Sequence, residues 1–171
     1  MRNLINLGKQ KQVELKQQFP SIRKLFNISE QSDYSHLAIS VFDHTLTPEE
    51  VKLEINDNGS SYNLKYDKKL YYFCVALSES TTVNPVKLIG RYKTKVLFRS
   101  FTASKNAKKY LEPKPYHHHD LKRFVLALPI YDSIYFEGCD YTHHLYYKSF
   151  EKLDPVLELV KLHGLHIQKS F

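Results

Sequence analysis

Leu70-Tyr71-Tyr72-Phe73-Cys74-Val75-Ala76-Leu77 is an eight-residue run with no charge and no turn residue, and its reading decides where the fold has its centre. Apolar side chains at both odd and even positions predict a central strand covered on both faces. On its N-terminal side, Asp57-Asn58-Gly59-Ser60 predicts a hairpin turn, because Asn-Gly accepts the positive φ of a tight turn. Val51, Leu53 and Ile55 alternate with Lys52 and Glu54 to supply the outgoing strand, and Tyr62, Leu64 and Tyr66 the return. Thr47-Pro48-Glu49-Glu50 carries a cap residue, a proline and two acids, which predicts a helix start of about one turn. Leu37, Ile39 and Val41 alternate with His36, Ala38 and Ser40 as a further strand.

On the C-terminal side, Val86 to Phe101 reads as one strand with a cationic stripe. Lys87, Arg91, Lys93, Lys95 and Arg99 point one way, and Val86, Leu88, Tyr92, Val96 and Phe98 the other. Residues 102–111 follow as a short basic helix, which Pro113 and Pro115 break. Asp120 to Leu128 is expected to be helical up to Pro129. Tyr131 to Glu137 and His143 to Lys148 form two strands joined at Gly138-Cys139-Asp140. A helix over 150–163 leaves through Gly164 into a closing strand at Leu165 to Gln168. At the other end, residues 1–18 form a loosely packed helical arm, and Phe19, Ile22, Leu25 and Phe26 share one face of a short helix. The fold expected is α+β: one domain over 1–171, with a mostly antiparallel or mixed sheet of about six to eight strands and helices packed on one side.

Charge is unevenly distributed along this frame. Lys87 to Arg123 holds eleven Lys and Arg against Glu112 and Asp120, a net +9, whereas the whole chain nets +7 from 25 cations and 18 acids. The rest of the protein therefore sums to −2. Clustered like charge repels itself unless a partner or salt screens it, so a polyanionic or acidic partner is expected. The binding residues predicted on this basis are Lys87, Arg91, Lys93, Lys95, Arg99, Lys105, Lys108 and Lys109, followed by Tyr116, His117 and His119. Tyr92, Phe98, Phe101, Tyr110 and Tyr116 add rings on which bases could stack.

Catalytic signatures are scarce. No Gly-rich phosphate loop, G-x-S-x-G elbow or H-x-[ST] pair occurs. His117-His118-His119-Asp120 and Asp140-x-x-His143-His144 could supply two imidazoles for metal-independent RNA cleavage, with His118 and His143 the pair to test. Three consecutive histidines cannot all face one ion, and no CxxC accompanies Cys74 or Cys139, so no metal and no cofactor is expected. Cys74 reads as a small buried hydrophobe. Met1-Arg2-Asn3-Leu4 leads into a Gln/Lys-rich stretch rather than an apolar signal, and no apolar run reaches the ~20 residues of a membrane span. These features predict a cytoplasmic, non-enzymatic protein-binding module of the inhibitor, antitoxin or immunity type, with its basic face against an acidic toxin or enzyme. The alternative is an RNA- or DNA-binding protein, extending to an RNase.

Overall fold

The computed structural model describes residues 3–26, 32–54, 64–113, 124–138 and 141–169. Eight strands form one antiparallel sheet: β1 (Leu4–Asn6), β2 (Ser35–Ser40), β3 (Asn84–Ile89), β4 (Lys95–Phe101), β5 (Val125–Leu128), β6 (Ser133–Phe136), β7 (Thr142–Tyr147) and β8 (His166–Lys169). Their order across the sheet is β1-β4-β3-β5-β6-β7-β2-β8. The helices are α1 (Lys9–Gln18), α2 (Pro48–Glu54), α3 (Leu64–Ser80), α4 (Ser104–Leu111) and α5 (Asp154–Leu162). This is the α+β class expected, with a fully antiparallel sheet.

The apolar run Leu70–Leu77 is not the central strand: it lies inside α3. Leu70, Phe73, Cys74 and Leu77 are all at most 4% exposed, while Tyr72 between them is 55% exposed. Spacing of three, four and seven residues is one helical stripe, and in a strand Tyr72 and Cys74 would share a face. The central strand is β5 instead, within the segment expected to be helical up to Pro129. Val125, Leu126, Ala127 and Leu128 are all buried, with Leu126 and Leu128 in one core and Val125 and Ala127 in the other. Two apolar runs thus exchange the roles expected of them, because a wholly apolar stretch carries no period until its neighbours define its faces.

Two further expectations change with them. The α2 helix continues to Glu54, so Val51 and Leu53 are helical, and Tyr66 belongs to α3 rather than to a return strand. The Asp57–Ser60 turn lies outside the described residues. At the start of α2, the helix start expected at Thr47-Pro48-Glu49-Glu50 forms, and Thr47 and Glu50 bond reciprocally as a capping box. The Thr47 N–H donates to Glu50 Oε2 at 2.8 Å, and the Glu50 N–H to Thr47 Oγ1 at 3.3 Å.

Alternation along the sheet separates two cores. One gathers Leu37 and Ile39 of β2, Tyr135 of β6 and Leu145 of β7 beneath α3, α4 and α5. The other sets Phe98, Ile134 and Phe136 against Leu15 and Phe19 at the α1 end and Ile22 and Leu25 of the 3-10 turn Ile22–Phe26. Three helices therefore cover one face, and α1 with its 3-10 turn covers part of the second, which the one-sided expectation did not include. The N-terminal segment is held in place rather than loosely packed. Leu4 to Asn6 pair with β4, Leu15 is 1% exposed, and Gln12 Nε2 donates to the Phe98 carbonyl at 2.6 Å while Gln12 Oε1 accepts the Phe98 N–H at 3.1 Å. No described helix is long and apolar enough to cross a membrane.

Candidate functional site

The stretch expected as one striped strand is a hairpin. Val86 lies opposite Phe98, Lys87 opposite Leu97, Leu88 opposite Val96 and Ile89 opposite Lys95. The chain reverses between Ile89 and Lys95, where Gly90 has φ 91° and Lys93 φ 50°, and the Lys93 N–H donates to the Gly90 carbonyl at 3.0 Å. Positive φ at Gly90 is a conformation that side chains resist, so glycine at 90 is what allows the reversal.

Folding the stripe back on itself changes its geometry. Lys87, Lys95 and Arg99 occupy one face of the two strands, with Lys87 diagonal to both of the others at a separation of roughly 7–8 Å. Arg91 and Lys93 project from the turn and are exposed, as are Lys87 and Lys95. Tyr92 stands at the tip, 76% exposed, with the Arg91 guanidinium carbon 5.6 Å from its ring centre. Beyond Pro85, β3 has no described partner but β4. On β4, Arg99 to Phe101 pair with β1, and Leu7 reaches the Phe98 carbonyl. Residues 86–97 thus form a two-stranded arm extending from the sheet.

The helix α4 carries the second group of cations. Asn106, Ala107 and Leu111 face inward, leaving Lys105, Lys108 and Lys109 exposed. Lys108 is paired with Glu79 of α3 at 2.8 Å, and that hydrogen bond raises its pKa. Arg99 is only half exposed, and its Nε is enclosed without a hydrogen-bond partner among the described residues. Over residues 84–113 eight cations face one acid, Glu112. Tyr116, His117, His118 and His119 lie outside the described residues.

His143 sits in a different environment. It is 6% exposed on β7, three strands from β3 and hence roughly 14 Å away at the usual strand spacing. Its Nδ1 shares a hydrogen bond with the Tyr135 hydroxyl, which also lies 3.4 Å from Cys74 Sγ. Burial is the first cause that holds the Tyr135 pKa well above its ordinary value, so it stays a neutral phenol with one proton for two neighbours. The arrangement ties β6, β7 and α3 together and occupies the His143 nitrogen that faces Tyr135. His144 points to the opposite face, where its Nδ1 lies 3.0 Å from His36 Nε2 and the Tyr146 ring lies tilted against His36 with ring centres 4.8 Å apart. Burial first, and then the neighbouring His144, lower the His36 pKa to about 4. Among the described residues no group of three or more His, Cys, Asp and Glu side chains converges as metal ligands would.

One set of cations went unremarked in the sequence. Once Leu64–Ser80 is a helix, Lys65, Lys68, Lys69 and Tyr72 fall at helical spacing on its outer face and line an open cleft with Leu162 and His163 of the α5 end. The signal was present as K-x-x-K-K-x-x-Y, but reading 70–77 as a strand hid it. Comparison with protein-family models, with curated proteins and with solved structures gives no significant match to this chain.

Proposed function

We propose that this protein is a non-enzymatic binding module that applies its cationic β3–β4 arm and α4 to an acidic surface of a partner protein, in the manner of an inhibitor, antitoxin or immunity protein. The observation that carries this reading is the arm itself. Lys87, Arg91, Lys93 and Lys95 are exposed on a two-stranded projection whose tip is an arginine beside an exposed tyrosine. Tyr and Arg are the residues most enriched among interface hot spots, and a ring of like charge accelerates encounter with an acidic partner.

Ring placement favours a protein partner over single-stranded nucleic acid. A base-stacking surface needs successive exposed rings along a cationic groove. Of the four described rings in this segment, Phe98 is fully buried, Phe101 and Tyr110 pack on each other with ring centres 5.4 Å apart, and Tyr92 alone is exposed. One exposed ring can anchor a protein contact, but it makes no stacking series.

The test is affinity capture from the native host with wild-type protein and with an Arg91→Glu, Lys93→Glu, Lys95→Glu variant, each split into nuclease-treated and untreated halves. A stoichiometric acidic protein that survives nuclease and disappears with the variant is the expected result. Heterogeneous RNA or DNA that vanishes on nuclease treatment would move the assignment to nucleic-acid binding. Capture equal in wild type and variant would remove the arm from the site.

A further inference from the structure

We infer that Phe42, Tyr66 and Tyr141, with the Glu54 carboxylate at their rim, form a binding site for an organic ammonium ion of the trimethylammonium class. The rings come from three places: Phe42 follows β2, Tyr66 lies in the first turn of α3, and Tyr141 immediately precedes β7. Their planes cross at 73° (Phe42 and Tyr66), 71° (Phe42 and Tyr141) and 63° (Tyr66 and Tyr141), with ring centres 5.2, 6.5 and 5.2 Å apart. Three nearly perpendicular planes at these separations have the dimensions of the corner of a box. A point roughly 4–5 Å out from each ring centre is then common to all three, inside the ~6 Å over which a cation is drawn to an aromatic face. All three rings are half-buried, where the first core reaches the surface.

The backbone fixes this corner without a ligand. The Val41 N–H donates to the Tyr141 carbonyl at 3.3 Å, which sets Phe42 beside Tyr141. The Phe42 N–H donates to Ser40 Oγ at 3.2 Å, and the Phe42 carbonyl accepts from Gln168 Nε2 at 3.1 Å. Tyr141 has φ 56°, a conformation that a bulky side chain rarely takes and that clusters at active sites and ligand clamps. Tyr66 begins the helical stripe that runs inward through Leu70 and Phe73, so its ring is anchored from the core side.

Charge identifies the ligand as a cation. The Tyr66 hydroxyl donates to Glu54 Oε2 at 2.8 Å, which puts an exposed carboxylate beside the rings. The segment that carries Phe42 and Glu54, residues 42–54, holds Asp43, Glu49, Glu50 and Glu54 against Lys52, a net −3 in a chain of net +7. His44 bonds Asp43 and Glu50 and as a cation offsets one of them, while Glu49 and Glu54 are exposed. Lys65, Lys68 and Lys69 of α3 turn toward α5, where they line the cleft with Leu162 and His163. Aliphatic side chains would close this margin of the core equally well, whereas ring faces and a carboxylate are what an ammonium ion requires. The site shares no residue with β3, β4 or α4 and is separate from the arm.

The experiment is an NMR titration of the full chain with choline, with its neutral tert-butyl isostere, and with trimethyllysine blocked at both ends. Choline should bind saturably below about 10 mM, with chemical shifts concentrated on Phe42, Tyr66 and Tyr141. The isostere, equal in shape but uncharged, should bind about fivefold or more weakly. Tyr66→Leu, which keeps apolar bulk on the core, should weaken choline about fivefold or more, and Glu54→Gln, a change at an exposed position, about threefold. Tighter binding of choline supports a free small molecule as the source, and tighter binding of blocked trimethyllysine a modified side chain. No saturable binding by about 10 mM, or equal affinity for the isostere, would overturn the site. Equal choline affinity in Tyr66→Leu would remove the rings from it, and equal affinity in Glu54→Gln the carboxylate. The Arg91→Glu, Lys93→Glu, Lys95→Glu variant should bind choline normally, so failure of the partner capture and failure of this site are distinct results.

Discussion

The centre of the sheet and the β3–β4 arm are built from the same antiparallel pairing, yet they differ in what covers them. Across β5, β6 and β7 both faces are buried: Leu126, Tyr135 and Leu145 face one core, and Ala127, Ile134 and Phe136 the other, all fully enclosed. In the arm, Lys87, Arg91, Tyr92, Lys93 and Lys95 are exposed, while Val86 and Val96, with Phe98 at the base, pack on the second core. Stability is therefore concentrated where side chains lose most contact with water, and the arm adds less to it. The polar groups show the same division. In the centre, Cys74, Tyr135 and His143 satisfy one another in the dark of the core, whereas the arm's cations look outward.

Mutations spaced along this gradient would test it. Phe73→Ala should have the largest effect, about 3–5 kcal/mol in chemical denaturation, because Phe73 is fully buried against Tyr135. Its neighbour Tyr72→Ala should change stability by no more than about 0.5 kcal/mol. A comparable loss at both positions would contradict the helical reading of 70–77 and with it the placement of the centre.

Gly138→Ala should follow, at about 3 kcal/mol, because a Cβ there would lie 2.1 Å from the Thr142 carbonyl oxygen and 2.9 Å from the His144 ring. A stable Gly138→Ala protein with an unchanged denaturation midpoint would mean that the β6–β7 connection is looser than the packing requires.

Acid should act on the second core in a defined window. His36 has its pKa lowered from 6.5 to about 4, so between those values the unfolded chain binds a proton that the folded chain refuses. Stability contributed by neutral His36 is complete above pH 6.5 and falls as the pH drops toward 4. Thermal melts across that range should show a shallower decline in His36→Gln than in wild type, and parallel curves would remove His36 as the cause.

The smallest stability effects belong to the periphery. Lys108→Ala breaks an exposed pair with Glu79 and should leave the denaturation midpoint almost unchanged. Arg91→Glu, Lys93→Glu and Lys95→Glu together should leave the melting temperature within a few degrees of wild type while abolishing partner capture. A large loss of stability in that triple variant would show that the arm is part of the structural core after all.

Much of the C-terminal half was legible from sequence, and the reason is local. Thr142–Leu145 alternates, α5 has a clear apolar stripe, and Gly164 takes the left-handed conformation that ends a helix. The helix start at Thr47 was equally plain, since its cap and proline act on near neighbours, and the structure adds the reciprocal bonds with Glu50 three residues on. Leu70–Leu77 and Val125–Leu128 were not legible in this way. Each is apolar at every position, and only the neighbours packed against each face distinguish helix from strand. The hairpin in Val86–Phe101 was hidden for another reason. Alternation continues through Gly90 to Thr94, so the reversal is marked by a single glycine within an otherwise regular pattern.

The sequence by itself determined the composition of the protein's surfaces: which segment is basic, which residues prefer a core, and where local caps and turns must fall. These are properties of single residues and near neighbours, and they do not depend on the rest of the chain. Only the tertiary structure decided how the cations are grouped. It folds one stripe into an arm, pairs Lys108 with Glu79, and sets Lys65, Lys68 and Lys69 around a cleft with His163 from 95 or so residues further along. Charge along a chain is additive, but a binding site depends on distance in space, and long-range packing is what sets that distance.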